Sequence, residues 1–202
     1  MDELERFMKP NSVRIISGQW RGRKLPILDR FQCRPTPDRV RETLFNWLMP
    51  HLADSRVLDL FAGTGVLGLE CLSRGADSIT LVDQDKKIID QLHRNIQNLS
   101  IPSKQAQIIH QDAMNFLSNP PPDRPTTFDL VFLDPPYASS LLNAVIPILN
   151  SNPWLSPNAF VYVESHRDTD FETPTNWRAY REKTAGQVAY RLYQIVLPNS
   201  TH

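Results

Sequence analysis

The sequence predicts an α/β fold built on a doubly wound, mostly parallel sheet. Short β-branched runs alternate with helical patterns, and most connections contain a helix-like pattern that can form a right-handed crossover. Candidate strands lie at residues 56–61, 78–83, 106–110, 128–134 and 159–165. Candidate crossover helices lie at residues 66–74, 86–99, 113–117 and 141–149.

Both chain ends add elements to this sheet. Thr36, Pro37 and Asp38 supply a cap, a proline and a carboxylate for a helix that Pro50 ends. The apolar stripe of that helix is Val40, Leu44, Trp47 and Leu48. Runs at 177–184 and 188–196, hinged near Gly186, predict a C-terminal antiparallel strand pair, and runs at 13–17 and 23–26 predict a small basic hairpin. We therefore divide the chain into an N-terminal basic extension, 1–36, and a main domain, 37–202.

Composition excludes several classes of protein. A chain of 202 residues with 41% apolar content fits one globular domain. Its apolar runs fall far short of the roughly 18 residues that span a bilayer, and its acidic start lacks the basic region of an export signal. Cys33 and Cys71 are far apart, and His110 and His166 lack metal-ligand spacing. We expect a cytoplasmic protein without a metal or a membrane partner.

Charge is distributed unevenly along the chain, although the net charge is zero. Residues 12–41 carry eight basic and two acidic side chains, so the remainder is acidic overall. A basic region on a neutral body predicts a local contact with a polyanion. Solvated surface charges explain the same pattern equally well.

A glycine-rich loop follows the first sheet strand. Glycines at 63, 65 and 68 let the backbone turn sharply and let a ligand approach the start of the next helix. They also satisfy G-x-G-x-x-G, and Asp83 lies 20 residues after Gly63, where a dinucleotide-binding fold places its ribose-binding acid. From this half of the sequence alone, the protein could equally be a nicotinamide-dependent oxidoreductase.

Acidic residues around this loop favour a cationic ligand instead. Asp59 sits at the end of the buried strand, where a carboxylate is costly unless it is paired. The ammonium and sulfonium of S-adenosylmethionine would supply that charge, whereas a pyrophosphate would be repelled. Asp83 can accept hydrogen bonds from both ribose hydroxyls. Asp112 can accept one from an adenine amino group, with Ala113 or Met114 adding a backbone amide and an apolar wall. A helix N-cap role for Asp112 is compatible with this.

The tetrapeptide Asp134-Pro135-Pro136-Tyr137 follows an apolar strand, where open α/β sheets hold their ligands. An exocyclic base amine is a poor nucleophile because its lone pair is delocalised into the ring. The Asp134 carboxylate and the Pro135 carbonyl would accept both N–H groups and aim the lone pair at a methyl donor. Tyr137 would stack on the base, a contact that contributes about 1 to 3 kcal/mol. The alternative is a simple Asp-Pro-Pro turn.

Several blocks of the sequence carry a resemblance to a known family. The glycine loop with Asp134-Pro135-Pro136-Tyr137 resembles the Rossmann-like class I S-adenosylmethionine-dependent amino-methyltransferases. Residues 14–25, 34–48 and 186–193 resemble more specifically the bacterial 16S rRNA guanine-N2 methyltransferase family called RsmD. The similarity spans about residues 13–193, with Tyr137 and Asp83 replacing Phe and Glu of some members. It implies S-adenosylmethionine as the cofactor, and 16S rRNA or the assembling small ribosomal subunit as the partner.

The resemblance also implies roles for individual residues. The implied catalytic residues are Asp134, Pro135 and Tyr137. The implied cofactor-binding residues are Asp59, Phe61, Gly63, Gly65, Asp83, Asp112 and Ala113. The implied RNA-binding residues are Arg21, Arg23, Lys24 and Arg39. Thr36, Arg39 and Arg41 would border the substrate mouth, although capping and surface roles explain them equally well. We expect a monomer that needs no metal.

The sequence also fits other functions. The same chemistry would serve an adenine or cytosine amine of DNA or a glutamine amide of a protein, although the chain has little room for a DNA target-recognition domain. The glycine loop also fits a nicotinamide-dependent oxidoreductase. The basic region alone would suit a noncatalytic RNA-binding assembly factor.

Overall fold

The computed structural model describes residues 12–27, 37–120, 127–136 and 140–196. The strands are β1 Ser12–Arg14, β2 Lys24–Pro26, β3 Arg56–Asp59, β4 Ser78–Asp83, β5 Ala106–His110, β6 Phe128–Leu133, β7 Leu155–His166, β8 Trp177–Ala185 and β9 Val188–Ile195. The helices are α1 Asp38–Leu48, α2 Val66–Ser73, α3 Lys86–Asn98, α4 Ala113–Ser118 and α5 Leu141–Ser151, and a 3₁₀ turn, Met49–His51, follows α1.

The main sheet has the order β5-β4-β3-β6-β7-β9-β8. Neighbouring strands from β5 through β7 are parallel, whereas β9 is antiparallel to both β7 and β8. The predicted α/β fold class, with its mostly parallel sheet and C-terminal antiparallel pair, is confirmed. β9 inserts between β7 and β8, so β8 is an edge strand.

Two apolar clusters cover the two faces of this sheet. On one face, residues of α1, α2 and α3 pack with Val57, Leu81 and Phe132. On the other face, residues of α4 and α5 pack with Leu58 and Val131. We call the first the α1 face and the second the α5 face. The central strands are buried on both faces, which explains why their sequences read as nearly continuous apolar runs.

Most predicted element bounds agree with the structure to within one or two residues, and β4 and β5 match the prediction at both ends. β7 is longer than expected because it begins at Leu155, ahead of a register irregularity opposite Phe128 and Leu130. The start of α1 differs as well. Pro37 occupies the N-cap position, with φ −54° and ψ 146°, instead of the first helical turn, and Thr36 lies outside the described residues.

The predicted N-terminal hairpin forms from β1 and β2, and a buried carboxylate holds it against α2. Glu70 of α2 accepts hydrogen bonds from the backbone amides of Ile16, at 2.7 Å, and Ser17, at 2.9 Å. Arg74 forms an ion pair with Glu70 at 2.8 Å, and the Arg41 guanidinium lies 3.8 Å from it. Since Glu70 and Arg41 are fully buried, this cluster fixes the hairpin to the body of the protein.

The hairpin turn also contacts the last residue of α2. The Gln19 amide donates to the Ser73 carbonyl at 2.7 Å, and the Trp20 amide donates to the Ser73 hydroxyl at 3.0 Å. Gly18 has φ +79°, and a Cβ there would lie 1.7 Å from the Ser73 carbonyl oxygen. Only glycine allows this close approach.

Candidate active site

All five parallel strands end at one side of the sheet, which we call its carboxyl end. The structure brings Asp59, Asp83 and Asp134 together there, because each closes or follows a parallel strand of β3, β4 or β6. Asp112 follows β5 at the same end. Four predicted acids from four separate segments therefore border one region, the usual ligand site of open α/β sheets.

The glycine loop between β3 and α2 depends on left-handed backbone angles, with φ of +50° at Gly63 and +73° at Gly65. A Cβ at Gly65 would lie 2.6 Å from Leu92 of α3, so the loop packs closely on that helix. The Gly63 amide donates to Asp83 Oδ2 at 3.0 Å. The loop is thereby tied to the end of β4.

Asp59 is buried at the end of β3 and accepts hydrogen bonds from the backbone amides of Gly68 and Phe61. These amides give the carboxylate partners from the protein itself, so its burial does not by itself require a cationic ligand. They offset desolvation only in part. Burial, with a smaller contribution from Asp83, raises the pKa of Asp59 to about 7.

Asp83 accepts two backbone amides, with Oδ1 receiving the Asp85 amide at 2.9 Å and Oδ2 the Gly63 amide. Burial nevertheless raises the pKa of its carboxyl. These two amides fix the orientation of the carboxylate between the glycine loop and the turn that leads into α3. Each carboxylate oxygen can accept a further hydrogen bond.

Asp112 is the N-cap of α4, where Oδ1 accepts the Asn115 amide at 3.0 Å, and Oδ2 contacts the Asn115 side-chain amide. The helix-capping interpretation of Asp112 is therefore correct. Ala113 is buried at the start of the same helix. A ligand role for this pair stays a prediction.

Asp134 follows β6 directly and is half-buried, Pro135 is buried, and Pro136 is exposed. Burial, together with the nearby carboxylates of Glu164 and Asp59, raises the pKa of Asp134 well above its ordinary value. Tyr137 lies outside the described residues. The orientation expected for its ring remains a prediction.

Glu164 is an acid of this region that the sequence analysis missed. It is 2% exposed, and its Oε2 accepts a hydrogen bond from the Tyr162 hydroxyl at 2.8 Å. Leu133 pairs with Val163, so Asp134 and Glu164 are the next residues along neighbouring parallel strands. The available signal was a carboxylate inside the apolar run of β7, where an ionisable group needs a specific partner.

Three of the four predicted RNA-binding residues lie on the hairpin, and the fourth, Arg39, lies on the helix beside it. Lys24 pairs with Arg14, and Arg14 forms an ion pair with Asp38, the neighbour of Arg39, at 2.9 Å. The Arg23 guanidinium donates to the Asn98 carbonyl at 2.6 Å, at the C-terminus of α3, and the hairpin turn contacts the C-terminus of α2. Crossover helices run back from the carboxyl end, so this turn lies at the opposite, amino end of the sheet. The structure therefore does not bring Arg21, Arg23 and Lys24 close to Asp134. Arg39 is exposed in the first turn of α1.

A model of the family described as Conserved hypothetical protein 95 matches residues 13–194. This chain belongs to that family. The resemblance to the RsmD methyltransferases is confirmed by relatives that share its full length. Among them, the Ribosomal RNA small subunit methyltransferase D of Haemophilus influenzae is 49% identical and covers 95% of this chain and 100% of the relative.

The protein of the same name from Escherichia coli K12 is 48% identical over 92% of this chain and 94% of its own length. Solved structures agree with this relationship. A putative methyltransferase, yhhF from Escherichia coli, superimposes with a TM-score of 0.81 at 46% identity, covering 92% of this chain and 99% of that one. The Rossmann-like methyltransferase fold predicted from the sequence is therefore confirmed.

Within the described residues, no helix has the length and apolar character required to cross a membrane. Across residues 12–27, 37–120, 127–136 and 140–196, no group of three or more His, Cys, Asp or Glu side chains could hold a metal ion.

Proposed function

We propose that this protein transfers a methyl group from S-adenosylmethionine to the exocyclic N2 of a guanine in 16S rRNA. The single observation that carries the proposal is the meeting of the glycine loop, the anchored Asp83 and the Asp134-Pro135 corner at the carboxyl end of the sheet. The names of the full-length relatives, which describe rRNA small-subunit methyltransferases, support the RNA substrate class.

The residues of this region fit the cofactor by their chemistry. Asp83 presents a carboxylate whose orientation two backbone amides fix, as ribose hydroxyls require. The glycine loop has little side chain between its backbone and a ligand, and Asp59 supplies negative charge for an ammonium group. The proposed cofactor-binding residues are Asp59, Phe61, Gly63, Gly65, Asp83, Asp112 and Ala113. When bound, S-adenosylmethionine would supply an electrophilic methyl group. As the new N–C bond forms, the S–C bond breaks, the sulfonium leaves as a neutral thioether, and the amine loses one proton.

The chain's own contribution to the reaction centres on Asp134. Its carboxylate and the Pro135 carbonyl accept the N–H groups of the target amine, which localises the nitrogen lone pair and directs it at the methyl carbon. Proline restricts the backbone, so little ordering is needed on binding. Tyr137 is proposed to stack on the ring and hold its plane.

Ionisation of Asp134 links the cofactor and the amine. Glu164 and Asp59 oppose a negative charge on Asp134, whereas the carboxylate form accepts hydrogen bonds more strongly than the acid. A cationic ligand beside Asp59 would favour the ionised form of Asp134. Asp134 is therefore best prepared for the amine after the cofactor has bound.

The RNA contacts belong to the same proposal. Arg39 and the hairpin residues Arg21, Arg23 and Lys24 contact RNA that flanks the target base. Because the hairpin turn lies at the amino end, away from Asp134, these contacts suit a substrate much larger than a single nucleotide, such as 16S rRNA or an assembling small subunit, with the protein acting as a monomer.

A variant of Asp134 tests the chemistry. We expect Asp134→Ala to lower methyl incorporation from labelled S-adenosylmethionine into unmethylated small-subunit particles by at least a hundredfold, because the amine loses its charged acceptor. Calorimetry should show cofactor binding close to wild type. Asp77→Ala serves as the control, since Asp77 is exposed ahead of β4 at the amino end.

Naked 16S rRNA, DNA and total protein are assayed in parallel with the particles. Incorporation by Asp134→Ala at the wild-type rate would refute the role of Asp134. Transfer into DNA or protein instead of rRNA would overturn the substrate assignment. Tighter binding of NAD than of S-adenosylmethionine would return the oxidoreductase to consideration.

A further inference from the structure

We propose that the α1 face of edge strand β8 is a binding track for the backbone of a single RNA strand that leads to the candidate active site. The track consists of Arg178, Arg181 and Lys183. This inference rests on the proposed function and adds the surface that guides the substrate toward Asp134.

Strand register places the three cations on one face. Arg178 pairs with Gln194, Arg181 with Leu192 and Lys183 with Tyr190. Leu192 and Tyr190 belong to the apolar cluster of the α1 face, and directly paired residues share a face.

The opposite, α5 face of β8 is different in charge. Glu182 pairs with Arg191 and forms an ion pair with it at 2.8 Å. Thr184, which pairs with Ala189, follows on that face. The positive charges of β8 are thus concentrated on the α1 face, and the acid of the strand lies on the other.

The track is exposed and contains an aromatic ring. Arg178, Arg181 and Lys183 are all solvent-exposed, and within the described part of the chain Arg178 and Lys183 make no side-chain hydrogen bond or ion pair. A register shift between Ala179 and Arg181 accommodates Tyr180, and the Arg181 guanidinium lies 4.5 Å from the centre of that ring. Cations interspersed with aromatic rings are typical of surfaces that bind single strands.

A cross-strand row connects this track to the site. Glu164 of β7 pairs with Tyr190 of β9, and Tyr190 pairs with Lys183 of β8. Asp134 follows β6 in the same row beside Glu164. Three strand spacings separate Asp134 from Lys183, which is about 14 Å. A strand with its target base at Asp134 therefore has phosphates within reach of Lys183.

The adjoining surface of α1 extends the same path. Arg39, Thr43 and Trp47 recur every four residues along α1, so they share one side of the helix. Trp47 is half-buried and stacks on Tyr190, with 5.4 Å between ring centres. Since Tyr190 pairs with Lys183, Trp47 lies beside the track.

Protection of an exposed sheet edge is the competing explanation for these charges. Edge protection requires charged side chains along the strand, but it does not require them to lie on one face of the sheet. The one-sided placement, and its continuity with the row that contains Asp134, favour the RNA track.

The test compares two double variants with equal loss of charge. Arg178→Gln with Lys183→Gln alters the track. Lys87→Gln with Lys104→Gln is the control, because these exposed lysines lie on α3 and in the turn before β5, at the sheet edge opposite β8. Binding of unmethylated 16S rRNA is measured across salt concentrations, and KM and kcat for the particle are measured by methyl incorporation.

We expect the track variant to reduce the slope of log affinity against log salt by about 1.4, since each lost single-strand phosphate contact removes about 0.7. Its KM for the particle should rise about tenfold with little change in kcat, and the control should match wild type. Equal slopes and KM values for both variants would overturn the track and leave edge protection as the explanation.

The two proposals fail in different ways. If the wild-type protein transfers no methyl group but the track variant still loses salt dependence in RNA binding, the proposed reaction is wrong and the RNA surface stands. If the wild-type protein methylates rRNA and the track variant behaves as the control does, only the track is wrong.

Discussion

At the scale of single residues, the site is a set of acids held at the end of a sheet. Asp59, Asp83, Asp134 and Glu164 come from four strands, and each is largely desolvated or anchored by hydrogen bonds. Three of them were predicted because each stands where an apolar run gives way to a loop. Glu164 was missed because it lies inside the apolar run of β7 and not where that run gives way to a loop.

The ionisation of Asp59 makes a measurable prediction about pH. Its folded pKa is about 7 against an ordinary value of 3.8, so the folded protein binds this proton more tightly than the unfolded chain between about pH 4 and pH 7. The free energy of unfolding should therefore fall as pH rises through that window. The total loss is about 4 kcal/mol for a difference of three pKa units.

Asp59→Asn is the matched control because it cannot ionise. Urea denaturation of both proteins without cofactor, at pH 4.5 and pH 8, gives the difference directly. The free energy of unfolding of wild type should lose several kcal/mol relative to the variant on going to pH 8. A difference that does not change with pH would show that Asp59 is ionised throughout and well paired.

At the scale of elements, the sequence pattern predicted the strands of the N-terminal hairpin but not the surface on which the hairpin packs. Its two strands were predicted, and its basic residues suggested a contact with RNA phosphates. The structure places the turn of the hairpin against the C-termini of α2 and α3, a position that the sequence did not indicate. Periodicity identifies a strand and its faces, but docking here depends on Glu70, Ser73 and Gly18, which meet only after folding.

Gly18→Ala tests how the hairpin is attached. The added Cβ would lie 1.7 Å from the Ser73 carbonyl oxygen, so the turn must shift and lose its hydrogen bonds to Ser73. We expect a loss of about 3 kcal/mol in the free energy of unfolding, measured by urea denaturation.

Gly22→Ala is the control, because Gly22 has a similar φ of +81° but open space around its Cβ position. It should cost only about 1 to 2 kcal/mol of backbone strain. Equal losses for the two variants would mean that the close contact with Ser73 adds nothing to the stability of the hairpin.

At the scale of the whole molecule, alternating strands and helices were sufficient to predict the parallel sheet and the end at which ligands bind. Right-handed crossovers restrict the possible topologies, so the order of elements predicted most of the architecture. The position of β9 between β7 and β8 could not be predicted, because an antiparallel pair can join a sheet by either strand. That position determines which cations line the track on β8.

We propose that the protein methylates N2 of a guanine in 16S rRNA at the carboxyl end of its sheet. The most direct measurement is nucleoside mass spectrometry of small-subunit rRNA from a host that lacks the protein, before and after treatment with purified protein and S-adenosylmethionine. We expect N2-methylguanosine to appear at one position, and we expect that Asp134→Ala does not restore it. A methyl group on another atom, or no new methylated nucleoside in rRNA, would contradict it.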